Sequence, residues 1–135
     1  MDIKLKKIAF IKVLKKTTWP GRLEIINYLN KKKLVDCAHN YPAAKALSQE
    51  RTTWNNEGNG IYWILGVQKQ KDISAILKTL IKKNDHLLLV PVPNQLSWQL
   101  KDLKYIEGID SSKIIEFEKF EFAFNYLFNL NKWPS

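Results

Sequence analysis

Two short apolar runs, Ile61–Val67 and His86–Val92, limit most strongly the folds open to this chain. Each has the length of a strand, and glycine or proline punctuates its ends, Gly60 and Gly66 around the first and Pro91 and Pro93 at the second. Runs of this kind read as strands buried on both faces. Between them lies the clearest helix pattern, Asp72–Lys83, in which Ile73, Ile76, Leu77, Leu80 and Ile81 recur at i, i+3, i+4, i+7 and i+8. Asp72 is placed to cap its start, and Lys82 and Lys83 suit its end.

The same alternation extends in both directions. Pro20-Gly21 marks a turn, followed by a strand over Leu23–Tyr28, a solvated hairpin-like turn at Asn30–Lys33 and a second strand over Leu34–Ala38, interrupted by Asp36. His39 and Asn40 fall in a strand-to-helix loop, and Pro42–Arg51 is expected as a short helix with Pro42 in its first turn. Thr52–Gly60 reads as a flexible loop. Further on, Gln95–Tyr105 is expected as a helix with Leu96, Leu100 and Leu103 on one face, and Gly108 breaks the chain. Lys113–Phe117 follows as a strand, and Glu118–Leu130 as a helix turning Phe120, Ala123, Phe124 and Leu127 inward. Residues 3–15 show no clean period: Ile3, Leu5, Ile8 and Phe10 suggest alternation, Ile8 and Ile11 a helix. Alternating strands and helices of these lengths predict one α/β domain over residues 1–135, three-layered, with a mostly parallel sheet flanked by helices.

Composition narrows the function classes. A chain of 135 residues with 45% hydrophobic content builds a real core. Its single cysteine rules out an internal disulfide and any cysteine cage for a metal, and suits a reducing, cytoplasmic setting. No apolar stretch is long enough to span a membrane. Lysines break the N-terminal one, which also argues against a signal peptide. The net charge of +9 invites a nucleic-acid reading, yet Arg22 and Arg51 are the only arginines among 22 basic residues. Nucleic-acid readers draw on arginine for bidentate contacts, so nucleic acid is not the favoured partner. Where lysine is the default cation, an arginine at position 22 suggests that a planar fork is needed there.

Two loops hold the candidate site residues. If the strands at 34–38 and 61–67 are parallel, the loops leaving them lie on one edge, outside the carboxyl ends of the sheet. Asp36, His39 and Asn40 then stand beside Lys69 and Lys71, with Arg22 at the mouth of the neighbouring strand. A carboxylate accepts from ribose hydroxyls, cationic side chains pair phosphate oxygens, and a helix N-terminus near Pro42 adds donors. That set suits a nucleotide or another polyanion better than proton transfer, and it contains no catalytic acid or base and no metal ligand set. Each residue also has a plain structural use. Asp36 can cap a turn, His39 can be satisfied by backbone, Arg22 can tie down its turn through Glu24, and Lys69 and Lys71 can be solvated. Cys37 reads as a small buried residue, His86 as structural, and Trp19, Trp54, Trp63 and Trp98 as core or core-rim residues.

These segments carry a resemblance. Pro20-Gly21-Arg22-Leu23-Glu24, then Asp36-Cys37-Ala38-His39-Asn40, then Gly66-Val67-Gln68-Lys69-Gln70-Lys71-Asp72 are similar, in order and spacing, to the C-terminal domain of the folylpolyglutamate synthase / dihydrofolate synthase family, within the wider Mur ligase family. Gln70 stands where an Asp is usual, Cys37 where a Gly is usual, and Pro42 one place late, with Tyr41 inserted. The resemblance implies a Rossmann-like Mur ligase C-terminal fold, with a helix over residues 3–15. It implies an ATP-dependent ligase that activates a folate carboxylate as an acyl phosphate for attack by the amino group of L-glutamate. The family keeps its P-loop, its Mg2+ ligands and most of its folate site in an N-terminal domain. No G-x-x-x-x-G-K-[ST] segment occurs in this chain, so alone it is expected to be inactive. Carried over residue by residue, Arg22, Asp36, His39 and Asn40 would be nucleotide-binding, and Lys69 and Lys71 would serve the phosphate or glutamate side. The competing expectations are a basic module binding nucleic acid and a non-catalytic domain that acts only by associating with a partner protein.

Overall fold

The computed structural model describes residues 24–28, 31–36, 38–53 and 60–130. Contacts group the chain into two compact units, Met1–Ala38 and His39–Ser135. The helix expected over residues 3–15, Arg22, Cys37 and most of the Thr52–Gly60 loop lie outside the described residues.

In the first unit, β1 (Glu24–Tyr28) and β2 (Lys31–Val35) form an antiparallel two-stranded sheet, with Glu24 opposite Val35 and Tyr28 opposite Lys31. The second strand therefore starts and stops three residues earlier than its apolar content suggests. Lys31, Lys32 and Lys33, expected in the turn, are ladder residues, because pairing with β1 satisfies their backbone whatever their side chains are. Asp36 ends the strand: its Oδ1 accepts from the Ala38 N–H at 2.7 Å, a short Asx-type turn.

The second unit is built on three parallel strands in the order β3 (Tyr62–Leu65), β4 (His86–Leu89), β5 (Ile114–Glu116). Tyr62 registers with His86, and Leu87 with Ile114. The helices are α1 (Tyr41–Glu50), α2 (Ile73–Leu80), the single turn α3 (Leu100–Leu103) and α4 (Phe120–Asn129). Short 3-10 turns follow α1 at Arg51–Thr53 and precede β5 at Ser111–Lys113. Period-two alternation sends successive β4 side chains to opposite faces. Leu88 and Val90 pack with Ala123 and Leu127 of α4, beside Tyr62, Ile64 and Phe117. Leu87 and Leu89 face the other way, where α2 buries Ile73, Ile76, Leu77 and Leu80. α1 lies across α2 and buries Ala44 and Leu47. Helices thus cover both faces of a parallel sheet, as the alternation predicted.

Three further expectations need correction. β3 is half-buried rather than enclosed, since among the described residues it is an edge strand of this sheet. α2 ends at Leu80, since Lys82 and Asn84 belong to a turn that delivers Asp85. Only Leu100–Leu103 of the expected 95–105 helix is helical. Asn94 takes a left-handed conformation (φ 59°), Ser97 bridges back to Gln68, and Leu96 is left 82% exposed. Among the described residues no helix is long and apolar enough to cross a membrane.

One buried carboxylate joins these pieces. Asp85, 1% exposed, accepts five hydrogen bonds. Arg51 Nη1 and Nη2 reach its two oxygens at 2.5 and 2.7 Å, a bidentate fork. The backbone N–H groups of Ile61 and Lys82 donate at 2.9 Å each, and the Trp63 indole at 3.0 Å. Arg51 Nη1 also donates to the Leu80 carbonyl at 3.1 Å, closing the end of α2. Gly60 makes the approach possible: with φ +79°, a Cβ there would lie 1.9 Å from the Asn84 carbonyl oxygen. Burial pushes the Asp85 carboxyl pKa up, but the Arg51 fork, the Lys82 N–H, the Trp63 indole and the Ile61 N–H outweigh it and hold the carboxyl below its ordinary range.

Arg51→Gln leaves that charge buried without its counterion and is expected to lower unfolding free energy by about 3–5 kcal/mol at neutral pH, measured by urea denaturation. Because the folded pKa is depressed, the stabilisation is present above the unfolded carboxylate pKa of about 4 and is lost as pH falls through the lower folded value. Urea midpoints should therefore fall for the parent chain below about pH 4, and the gap to Arg51→Gln should narrow there as Asp85 becomes neutral.

Candidate functional site

The carboxyl ends of β3 and β4 open onto one rim. β3 continues through Gly66 and Val67 into a tight turn at Lys69 and Gln70, and α2 begins after Asp72. Asp72 caps that helix, its Oδ1 accepting from the Ala75 N–H at 3.0 Å. β4 continues through Val90 and Val92 into the Asn94 turn and then runs back past the first loop. A Cβ on Gly66 would lie 3.1 Å from the Val90 carbonyl oxygen and 3.3 Å from Val92 Cγ2, so the two strand ends meet closely there.

The returning segment clamps the loop. The Lys69 N–H donates to the Leu96 carbonyl at 2.7 Å, and the Trp98 N–H to the Val67 carbonyl at 3.0 Å, an antiparallel bridge of Gln68 with Ser97. Ser97 Oγ accepts from the Val92 N–H at 2.8 Å, and the Trp98 indole donates to the Lys71 carbonyl at 3.0 Å. The Lys69 ammonium lies 4.2 Å from the centre of the Trp98 ring and 2.6 Å from Asp102 Oδ2. That ammonium, followed by the Gln99 N–H, holds the Asp102 carboxyl below its ordinary range. Gln70 bonds Gln68 at 3.1 Å. Lys71 is half-buried as a residue, and its ammonium makes no ion pair among the described residues.

The other candidates stand apart from this rim in sequence and in pairing. The strand ahead of Asp36 pairs antiparallel with β1 in the hairpin, and no strand pairing joins β2 to β3 among the described residues. Asp36 caps its own turn within the first unit. His39 is exposed at the start of the second unit, and Asn40 caps α1, its Oδ1 accepting from the Ala43 N–H at 3.0 Å. Tyr41 takes the first helical position and Pro42 the second, so the inserted residue is absorbed into the helix start. Arg22 lies outside the described residues.

Sequence reasoning missed Asp102 and the part that Trp98 plays. Asp102 sits inside a stretch that reads as an amphipathic helix, and nothing in that pattern pairs it with a lysine 33 residues away. Arg51 and Asp85 had a signal: the scarcity of arginine that singled out Arg22 applies equally to Arg51. What the rim offers chemically is two lysines of one loop, Lys69 held by Asp102 and Trp98, and Lys71 without an ion pair among the described residues, a cation that can meet an anion.

A family model described as the C-terminal domain of dihydrofolate synthetase matches residues 22–122. The dihydrofolate synthase/folylpolyglutamate synthase of Buchnera aphidicola subsp. Acyrthosiphon pisum is 31% identical over 116 residues, covering 84% of this chain and 27% of the relative. Among solved structures, the Mycobacterium tuberculosis folylpolyglutamate synthase complexed with ADP superposes with a TM-score of 0.65 at 23% identity, over 81% of this chain and 24% of that one. The bifunctional folylpolyglutamate synthase/dihydrofolate synthase of Yersinia pestis gives 0.66 at 20% identity, over 90% and 28%. These structural matches show the fold. The chain thus spans about a quarter of the length of the relatives it matches. Since the family model covers residues 22–122 of the 135, the chain belongs to the family of dihydrofolate synthetase C-terminal domains.

Proposed function

We propose that this chain works as the C-terminal part of an ATP-dependent ligase that adds L-glutamate to a folate, closing over a P-loop domain and supplying contacts to the nucleotide and the incoming amino acid. The observation that carries this reading is the Gly66–Asp72 loop. It lies inside the family match, stands at the carboxyl end of a parallel strand, and presents a lysine ammonium without an ion-pair partner among the described residues. The relative from Mycobacterium tuberculosis is complexed with ADP, which supports ATP as the nucleotide.

In this reaction the folate carboxylate attacks the γ-phosphorus of ATP, ADP leaves, and an acyl phosphate forms. The amino nitrogen of glutamate then attacks the acyl carbon, inorganic phosphate leaves, and the nitrogen loses a proton to give the amide. The work assigned here is positioning and charge stabilisation rather than proton transfer. Lys71 takes the phosphate or glutamate side directly. Lys69, committed to Asp102 and Trp98, shapes the loop that presents it. Arg22, Asp36, His39 and Asn40 take the nucleotide side, and the setting is the cytoplasm. Magnesium is assigned to the P-loop domain.

Two outcomes test this reading. The 135-residue chain alone should form no ADP above background in a folate- and glutamate-dependent assay, and turnover by it would overturn the division of labour. ATP added to the chain should shift amide resonances of Gly66–Asp72 and of His39–Tyr41. Lys71→Ala or Arg22→Ala should weaken that response by about tenfold. Shifts scattered over the lysine-rich surface would count against a nucleotide edge.

A further inference from the structure

At the opposite end of the parallel sheet, where β4 and β5 begin, a groove of about 450 Å3 opens between the last turn of α2 and the segment leading into β5. It lies wholly within the second unit. Its floor is apolar: Ile81 and Ile109 expose half-buried faces over the buried side chains of Leu77, Leu87 and Ile114. Its rim is cationic, with Lys78, Lys82, Lys83 and Lys113.

The disposition of these four ammonium groups separates the groove from an ordinary solvated lysine surface. Lys82 donates to the Thr79 carbonyl at 3.2 Å, and Lys113 donates across to the Lys83 carbonyl. Backbone carbonyls hold those ammonium groups in place without neutralising them. Lys78 and Lys83 make no ion pair among the described residues. Two carboxylates also line the groove. Asp85 is committed to Arg51 and three further donors, and Asp110 accepts from the Ser112 N–H and hydroxyl at 3.0 and 2.6 Å. Asp110 offsets part of the charge at Lys113, whereas Lys78 and Lys83 form no ion pair with a carboxylate among the described residues.

We infer that this groove binds a small organic anion with an apolar body, the body lying on Ile81 and Ile109 and the acidic groups meeting Lys78 and Lys83. The volume falls in the range of small-molecule sites, and an apolar floor with a few placed charges is how such sites select their ligands. The inference is independent of the ligase reading, because the groove and the Gly66–Asp72 rim lie at opposite ends of β4.

Anilinonaphthalene sulfonate, an aromatic anion, is a suitable probe for the full chain. Its fluorescence should rise saturably, and amide shifts should cluster at Ile81–Lys83 and Ile109–Asp110. Higher salt should weaken the binding. The double variant Lys78→Glu/Lys83→Glu, both sites exposed, should weaken it by about tenfold with an unchanged circular dichroism spectrum. Lys45→Glu, an exposed residue of α1, should leave it unaltered. Ile109→Ser should weaken binding through the floor and serves as a second variant. The inference is overturned if no saturable binding is seen, if charge reversal at Lys78 and Lys83 has no more effect than at Lys45, or if the shifts map to Gly66–Asp72 instead.

Discussion

A carboxylate with almost no exposure to water organises the second unit. Asp85 takes both prongs of Arg51, two backbone amides and an indole, and those donors come from four separate places: the turn after α1, the entry to β3, β3 itself and the end of α2. Burying a charge is costly, and the cost is offset only when every lone pair finds a donor and the geometry is good. Here both conditions hold. The consequence is positional: the end of α2, the start of β4 and the start of β3 are held in one register, and that register sets where the opposite ends of the strands emerge. The Gly66–Asp72 loop and the Val90–Ser97 return are the far ends of the same pieces.

The parts of the fold legible in the sequence are those where periodicity and burial agree. Ile73, Ile76, Leu77 and Leu80 repeat at helical spacing and are buried as that spacing demands. Leu87, Leu88 and Leu89 form an apolar run and are buried on both faces of a central strand. Where polarity and pairing disagree, pairing decides. Lys31–Lys33 look like a turn and form a ladder with β1. Leu96, Leu100 and Leu103 look like a helix face, yet a left-handed Asn94 and a bridge to Gln68 take the first of them out into solvent. Side-chain pattern carries local preference, whereas a bridge between residues 29 apart is a tertiary fact (Gln68 and Ser97).

The candidate site divides along the same line. The three motif segments were legible because they lie in a fixed order along the chain, and the family match over residues 22–122 takes in all of them except Pro20 and Gly21. What the segments do to one another was not legible. Lys69 and Lys71 are two residues apart in one loop and equivalent on paper. In the fold, one is tied to Asp102 beneath an aromatic ring and the other is not. Asn40 and Asp36 each meet a backbone N–H close by, which is the ordinary use of short polar side chains at turns and helix starts.

The tight meeting of β3 and β4 at Gly66 bears on how this crevice can vary. A methyl group there would meet the Val90 carbonyl oxygen at 3.1 Å, so the two strand ends would have to give slightly to admit it. Widening the gap would splay the very strand ends that deliver Lys71 on one side and Ser97 on the other. Sequence change is therefore easier on the side chains that flank this meeting point than on the glycine at its centre.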